Sequence, residues 1–334
     1  MVAGNKYFGG YSCSDAWKVF SSSDSSQIIQ HDHNSFTLSA VTWKDSERIG
    51  VQRDRQGKTV VKAAGECAKF LDIALKIPLR MMSPIESYAL VNGGPEQRRR
   101  FLDWGMFHVK HSYWSELKKL NRILKQKNAA LKMRCSDSEL TQWNIMLAEI
   151  SYSLDVMRIE YLQQLEQVFS KYREKLSLLK EVRLCYCPGW SRESTDLFTQ
   201  LSTAMRQERQ QGYCLIGPHR ADVRLEIPYG LCKDQLSRGQ QKMLALALYL
   251  AQGEHLFELT GSHPLYMVDD FSSELDLVAQ ELLIDALDPS DKQIIITSLT
   301  HDIPLSQKLS HAHDLKRYVI ENGKVYECFG GQPR

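Results

Sequence analysis

The sequence predicts an α/β fold with a long helical lobe inserted into it, on three observations. The last third alternates strand and helix: "PLYMVDD" (264–270), a helix near 274–287, then "QIIITSL" (293–299). That alternation builds a largely parallel sheet. Residues 35–62 alternate apolar and polar side chains between polar turns, which is the pattern of antiparallel strands. Between these regions apolar residues recur at steps of three and four, the spacing of one helical face.

In chain order, "SFTLSAVTW", "RIGVQRD" and "KTVVK" are strands, and a short helix spans roughly Cys67–Leu75 before the proline-punctuated "KIPLRMMSP". "HSYWSELKKLNRILKQKNAALKMR" (111–134) carries Trp114, Leu117, Leu120, Ile123 or Leu124, and Ala130 or Leu131 on one side. After "CSDSE" a seam of Leu147, Ile150, Leu154, Met157, Tyr161, Leu165, Val168, Tyr172, Leu176 and Leu179 predicts a helical arm packed on its neighbour. "EVRLCYCPGW" (181–190) is a strand closed by a Pro-Gly turn, followed by a helix over Glu193–Gln210 and the strand-like "GYCLIGPHRADVRLEI". The end is a hairpin turning at Asn322-Gly323.

No run of apolar residues is long enough for a membrane helix. The start, "MVAGNKYFGGYSCSDAWKVF", lacks the pattern of a secretory signal. The eight cysteines are scattered with no CxxC pair, as in reduced thiols, and the expected location is cytoplasmic. A formal net charge of +2 hides an asymmetry: residues 98–134 carry eleven Lys or Arg against two acids, while 243–291 carry ten acids and no Lys or Arg. The basic stretch suits nucleic-acid phosphates, with Arg98, Arg99, Arg100, Lys118, Lys119, Arg122 and Lys125 as candidate DNA contacts. The competing reading is a solvated helix face, or, for Arg98–Arg100, pairing with acids inside the lobe.

The residues with chemistry come late. In "LSRGQQK" (236–242) Ser237 has the position of an N-cap, and Gly239 lets backbone approach an anion at a helix N-terminus. Thirty residues beyond Gly239, Asp269 and Asp270 close an apolar strand, at the strand end where open α/β sheets bind ligands. Asp269 is placed to hold Mg²⁺ and Asp270 to face an attacking water. "SSELD" (272–276) comes next, then the strand ending in Thr297 or Ser298. His108 and His111 stand at helical spacing but lack a third ligand, and His219 of "GPHR" reads as a structural histidine.

The ordered series LSRGQ, DD, SELD and a terminal strand resembles an ABC-type ATPase head, with Thr297 or Ser298 where a switch histidine is usual and His301 the nearest imidazole. With "LVNGGPEQRRRFLDWGMFH", "LKQKNAAL", "GPHRADVRL", "LSRGQQKMLALALYLAQGE" and "DDFSSELD", it looks like the RecF family, related to Rad50 and SMC heads. The resemblance implies a P-loop NTPase fold of the ABC type divided at 1–90 (head remnant), 91–205 (helical arm lobe) and 206–334 (second half of the head). It implies ATP and Mg²⁺, bound by the catalytic Asp270, the metal ligand Asp269 and the signature and D-loop positions Ser237, Arg238, Gly239, Gln240, Ser273 and Asp276. It also implies an ATP-dependent homodimer on DNA, recombinational repair of single-strand gaps, the SOS response, and loading of RecA with RecO and RecR. Arg80 falls where many relatives carry a glutamine, and a guanidinium cannot ligate Mg²⁺. The long helical insertion and the QQK extension argue against a transporter subunit.

One motif is missing. No G-x-x-x-x-G-K-[ST] occurs in residues 1–334, and the opening "AGNKYFGGYS" resembles the stretch beyond that loop and its helix in the family. Gly57-Lys58-Thr59 does not replace it: position 52 is Gln, and Thr59-Val60-Val61 favours strand where a helix should nest phosphates. "DRQG" is therefore expected to be a hairpin turn. The expectation is a shortened head defective in ATP binding, with an exposed sheet edge; the alternative is a non-hydrolysing DNA-binding scaffold that keeps the dimer surface.

Overall fold

The computed structural model describes residues 29–42, 46–176, 179–269, 280, 285, 292–298, 316–321, 324–329 and 332–333. The first sheet is antiparallel, in the order β1 (Ser35–Val41), β2 (Arg48–Asp54), β3 (Thr59–Ala63), β4 (Glu66–Cys67). Its alternation puts Ile49, Val51 and Val61 on one face, where they bury against Ile73 of α1 (Phe70–Lys76). The helix expected from Cys67 therefore starts three residues later, because Cys67 is still paired with Lys62 in the sheet.

β5 (Leu79–Met82) opens the second sheet, and α2 (Pro84–Asn92) leaves it. A helical lobe comes next, of α3 (Pro95–Val109), α4 (His111–Lys132) and α5 (Asp137–Lys175). On α4 the buried face is Tyr113, Leu117, Leu120, Ile123, Ala130 and Leu131, with Lys127 among them; Trp114, expected on that face, is only half-buried. α5 runs 39 residues from an N-cap in which Ser136 Oγ accepts from the Glu139 N–H. Leu147, Ile150, Leu154, Tyr161, Leu165 and Val168 form its seam, but the helix ends at Lys175, and Leu176 and Leu179 enter the core from beyond it.

β6 (Arg183–Cys187) leads to α6 (Leu197–Gln211), which starts later than Glu193 because Asp196 is its cap, accepting from the Thr199 N–H at 3.1 Å. β6 then pairs antiparallel with β7 (Asp222–Ile227), and β7 with β8 (Gly230–Leu231). Only 222–227 of the strand-like 212–227 is strand, since Pro218–Arg220 forms a 3₁₀ turn. The expected divisions at 90/91 and 205/206 fall inside α2 and α6, and the β6–β7 ladder crosses the second one.

α7 (Cys232–Gln235) and α8 (Arg238–Thr260) return to the head. β9 (Leu265–Val268) pairs parallel with β5 on one side and with β10 (Ile294–Ile296) on the other. This is the parallel sheet that the alternating last third predicts. α8, mostly apolar where it is buried, packs on α2, α5 and β5. Gly253 lets it approach β9: a methyl group there would strike the Tyr266 ring. β11 (Arg317–Glu321), β12 (Lys324–Phe329) and β13 (Gln332–Pro333) form a separate antiparallel sheet. The turn at 322–323 and the helix near 274–287 lie outside the described residues, apart from 280 and 285.

Candidate nucleotide and metal site

The carboxyl ends of β5, β9 and β10 converge on Asp269. Its backbone N–H donates to Met82 O at 3.0 Å, and the Thr297 N–H donates to Val268 O at 2.9 Å, so both neighbouring strands fix the turn that carries it. The Thr297 hydroxyl donates to Asp269 Oδ1 at 2.6 Å. Ser83, buried, stands beside this point at the end of β5. The side chain of Asp269 is half-buried. Its surroundings offer carboxylate and hydroxyl oxygens, the hard donors that suit Mg²⁺. Asp270, Ser273 and Asp276 lie outside the described residues, as does His301.

The signature residues form the exposed first turn of α8. Ser237 and Gln240 make a reciprocal capping box: the Gln240 N–H donates to Ser237 Oγ at 3.3 Å and the Ser237 N–H to Gln240 Oε1 at 2.9 Å. Arg238 and Gly239 are left on the surface, and nothing lies within 4 Å of where a Gly239 side chain would stand. Gln241, buried, pins the approach by donating to Lys233 O and Leu236 O at 2.9 Å, and it accepts from Asn92 Nδ2 at 3.3 Å. A fixed, open helix N-terminus of this kind can meet an anion.

Arg80 takes no place at this crevice. It lies on β5 three residues before Ser83, buried, with its guanidinium 3.5 Å from the Trp104 ring centroid and donating to Gln252 Oε1. Gln252 Nε2 in turn donates to Phe101 O at 2.9 Å and Tyr161 Oη at 2.8 Å. A side chain unsuited to Mg²⁺ is thus used to join β5 to α3, α5 and α8.

The basic stretch divides. Arg98 is buried and pairs with Asp222 through Nε at 2.7 Å and Nη2 at 3.0 Å, the acid-paired alternative read for it from the sequence. Arg99 donates to Ala221 O at 2.6 Å, and burial lowers its pKa; Arg100 pairs with Glu96 one turn back. Lys118, Lys119, Arg122 and Lys125 all stand exposed on α4, with Lys119 bridged to Glu116 at 2.7 Å.

The polar centre of the lobe leaves little trace in the sequence. Arg158, 1% exposed, donates to Tyr113 Oη at 3.0 Å, to Pro218 O at 2.9 Å and to Asp103 Oδ1 at 3.3 Å, while Tyr113 donates to the same carboxylate. Lys127 and Glu208 form a second buried pair at 2.8 Å. Arg158 reaches partners 45 to 60 positions away, and Lys127 and Glu208 lie on α4 and α6, so no local spacing marks them. The one signal was a charged residue on an otherwise apolar helical face.

His108 is buried in the fold and His219 half-buried. His108 is buried against Trp104 and Phe107, and burial plus the nearby Arg80 charge lowers its pKa to about 3. His111 is exposed, and no metal-ligating cluster occurs among the described residues. His219 Nε2 meets Cys214 O at 3.1 Å, with its pKa lowered to about 4, chiefly by burial.

Gly57-Lys58-Thr59 is a hairpin. β2 and β3 pair through Arg53 and Thr59, the Asp54 N–H donates to Lys58 O at 3.1 Å, and Asp54 Oδ1 accepts from the Lys58 N–H at 2.9 Å. Gly57 sits at φ +83°, which favours glycine. The backbone amides are thus spent on the turn. The acid and the signature helix fit Mg²⁺ and a phosphate cap, whereas these residues offer no triphosphate nest.

A family profile described as RecF/RecN/SMC N terminal domain matches residues 15–319. The "DNA replication and repair protein RecF" of Aliivibrio fischeri is 35% identical over 317 residues, covering 92% of this chain and 86% of that protein. Its Haemophilus influenzae counterpart is also 35% identical over 317 residues, covering 94% and 85%. Among solved structures, "Structure of the recombination mediator protein RecF-ATP in RecFOR pathway" superposes with TM-score 0.74 at 22% identity, covering 93% of this chain and 86% of that one. That likeness shows the fold, a P-loop NTPase head of the ABC type. On the profile and the sequence relatives together, the chain belongs to the RecF family.

Proposed function

We propose that this protein acts in recombinational DNA repair and binds DNA along the exposed face of α4. The observation that carries this is the run Lys118, Arg122 and Lys125, one helical face of cations open to solvent on a family member whose relatives are named for DNA replication and repair. Each phosphate neutralised there releases condensed counterions, so binding should weaken with salt. The signature turn Ser237–Gln240 serves as a phosphate cap across a homodimer and Asp269 as the Mg²⁺ ligand, with Asp270, Ser273 and Asp276 completing the family's set. Cooperation with RecO and RecR in loading RecA at gaps, and a part in the SOS response, belong to the same reading.

The alanine variant at Lys118, Arg122 and Lys125 tests it by fluorescence anisotropy with a labelled gapped duplex across a salt series. Weaker binding and a flatter dependence on salt are expected; unchanged affinity and slope sink the proposal.

A second reading, a scaffold that binds DNA without hydrolysing ATP, is favoured by the hairpin at 54–59, whose amides are spent on the turn and leave Gly57-Lys58-Thr59 no phosphate nest. Titration calorimetry of the 334-residue chain with Mg-ATP tests the expected defect in ATP binding. Micromolar affinity overturns that defect and with it the scaffold reading, whereas weak or no binding agrees with both readings.

A further inference from the structure

We propose that Lys127 of α4 and Cys214, just past α6, form an oxidant-dependent covalent bridge, a Nζ–Sγ sulfenamide. Lys127 Nζ lies 3.4 Å from Cys214 Sγ and 2.8 Å from Glu208 Oε2. Lys127 and Glu208 are fully buried and Cys214 is 2% exposed. All three are held in place. The Cys214 N–H donates to Asn128 Oδ1 at 2.8 Å, and the Leu215 N–H to Glu208 Oε1 at 2.8 Å. Cys214 O accepts from Arg220 at 3.4 Å and meets His219 Nε2 at 3.1 Å. An amine is thereby fixed beside a thiol, with a carboxylate able to take its proton. Nothing in the proposed DNA or nucleotide chemistry uses this cluster.

The chemistry needs one equivalent of a small peroxide. The sulfur attacks one oxygen of hydrogen peroxide, the O–O bond breaks, and a sulfenic acid and one water result. Lys127 passes a proton to Glu208, and its freed lone pair attacks the sulfur. The N–S bond forms as the S–O bond breaks, and the departing hydroxide leaves as water with the second amine proton. Sulfur is oxidised by two electrons and the peroxide reduced to water. A thiol reverses the bridge: it attacks the sulfur, the N–S bond breaks as the S–S bond forms and the amine takes the thiol's proton, and a second thiol then frees Cys214 from the mixed disulfide. Burial pushes the Cys214 thiol up to about 11, so little thiolate is present and the reaction is slower than at the exposed Cys67. Once formed, the bridge ties α4, which carries the exposed cations, to the segment leading into Pro218–Arg220.

The test treats the full chain with hydrogen peroxide, blocks free thiols with iodoacetamide and digests with trypsin. Cleavage fails after a bridged Lys127, so peptide 126–132 should appear joined to peptide 210–220, two hydrogens lighter than their sum. Dithiothreitol should separate the two. In Lys127→Arg the linked species should vanish and Cys214 should react with dimedone, a sulfenic-acid trap. Cys214 found as free thiol, or as unlinked sulfinic acid, once Cys67 is fully oxidised overturns the proposal. The wild-type digest decides this even where a variant folds poorly.

Discussion

The Thr297 hydroxyl donates to Asp269 Oδ1 at 2.6 Å, joining the ends of two parallel strands through the side chain expected to hold a metal. Thr297→Val keeps the β-branched shape and removes this bond. A bond to a charged acceptor contributes about 1.5–3 kcal/mol when buried, and Asp269 is half-buried, so a loss of about 1–2 kcal/mol is expected. Urea unfolding with unchanged slope measures it. A variant as stable as the parent shows that water replaces the hydroxyl.

Arg158 holds Asp103, Tyr113 and the Pro218 carbonyl together at the centre of the helical lobe. Removing one member of a buried ion pair strands the other, at about 3–5 kcal/mol. Arg158→Met should therefore cost about that much. Arg158→Met combined with Asp103→Leu should cost less than the sum of the two single changes, because no charge is left unpaired. Additive losses would mean that the two side chains act independently.

The range of each interaction decides how much of the molecule was legible in its sequence. The Ser237 cap, the "DRQG" hairpin and the strand ending at Asp269 are set by neighbours within a few residues, and each could be read from the order of side chains. Thr297 was visible as the end of a strand, but its bond to Asp269 spans 28 positions and depended on strand pairing. Arg80 falls at a glutamine position in the motif order, which says what a guanidinium cannot do there but not what it does. Its stacking on Trp104 comes from α3 crossing β5, which no spacing records. Arg98 was open to two readings for the same reason, since Asp222 is 124 residues away.

Gly105 of α3 faces Tyr161 Oη and Gln252 Nε2 so closely that a methyl group would collide with both. Those two atoms belong to the chain of hydrogen bonds that also holds Arg80. Gly105→Ala gains helix propensity of about 1 kcal/mol. It must also displace a buried hydrogen-bonded pair, at about 1–3 kcal/mol for overpacking and more for each bond broken. A net loss is expected, read as a lower thermal midpoint; a stabilised variant would mean that the tyrosine moves aside freely.

Acid should destabilise the protein through His108 and His219. Both pKa values are depressed in the folded chain, to about 3 and about 4, against 6.5 for the unfolded residue. Below pH 6.5 the unfolded chain therefore binds protons that the folded chain refuses. Their stabilising effect is present above pH 6.5 and is lost progressively down to about pH 4 for His219 and pH 3 for His108. Well inside that window each imidazole contributes a slope of about 1.4 kcal/mol per pH unit. His255, also lowered by burial, acts in the same direction. Asp103 and Glu166 act against it, because burial raises their carboxyl pKa values and so favours the folded chain as pH falls. His108→Phe isolates one contribution: the ring fits the aromatic contacts with Trp104 and Phe107, and it cannot be protonated. Between about pH 6 and 4.5 the variant's unfolding free energy should fall less steeply than the parent's, by about 1.4 kcal/mol per pH unit. Parallel curves would place the acid sensitivity elsewhere in the chain.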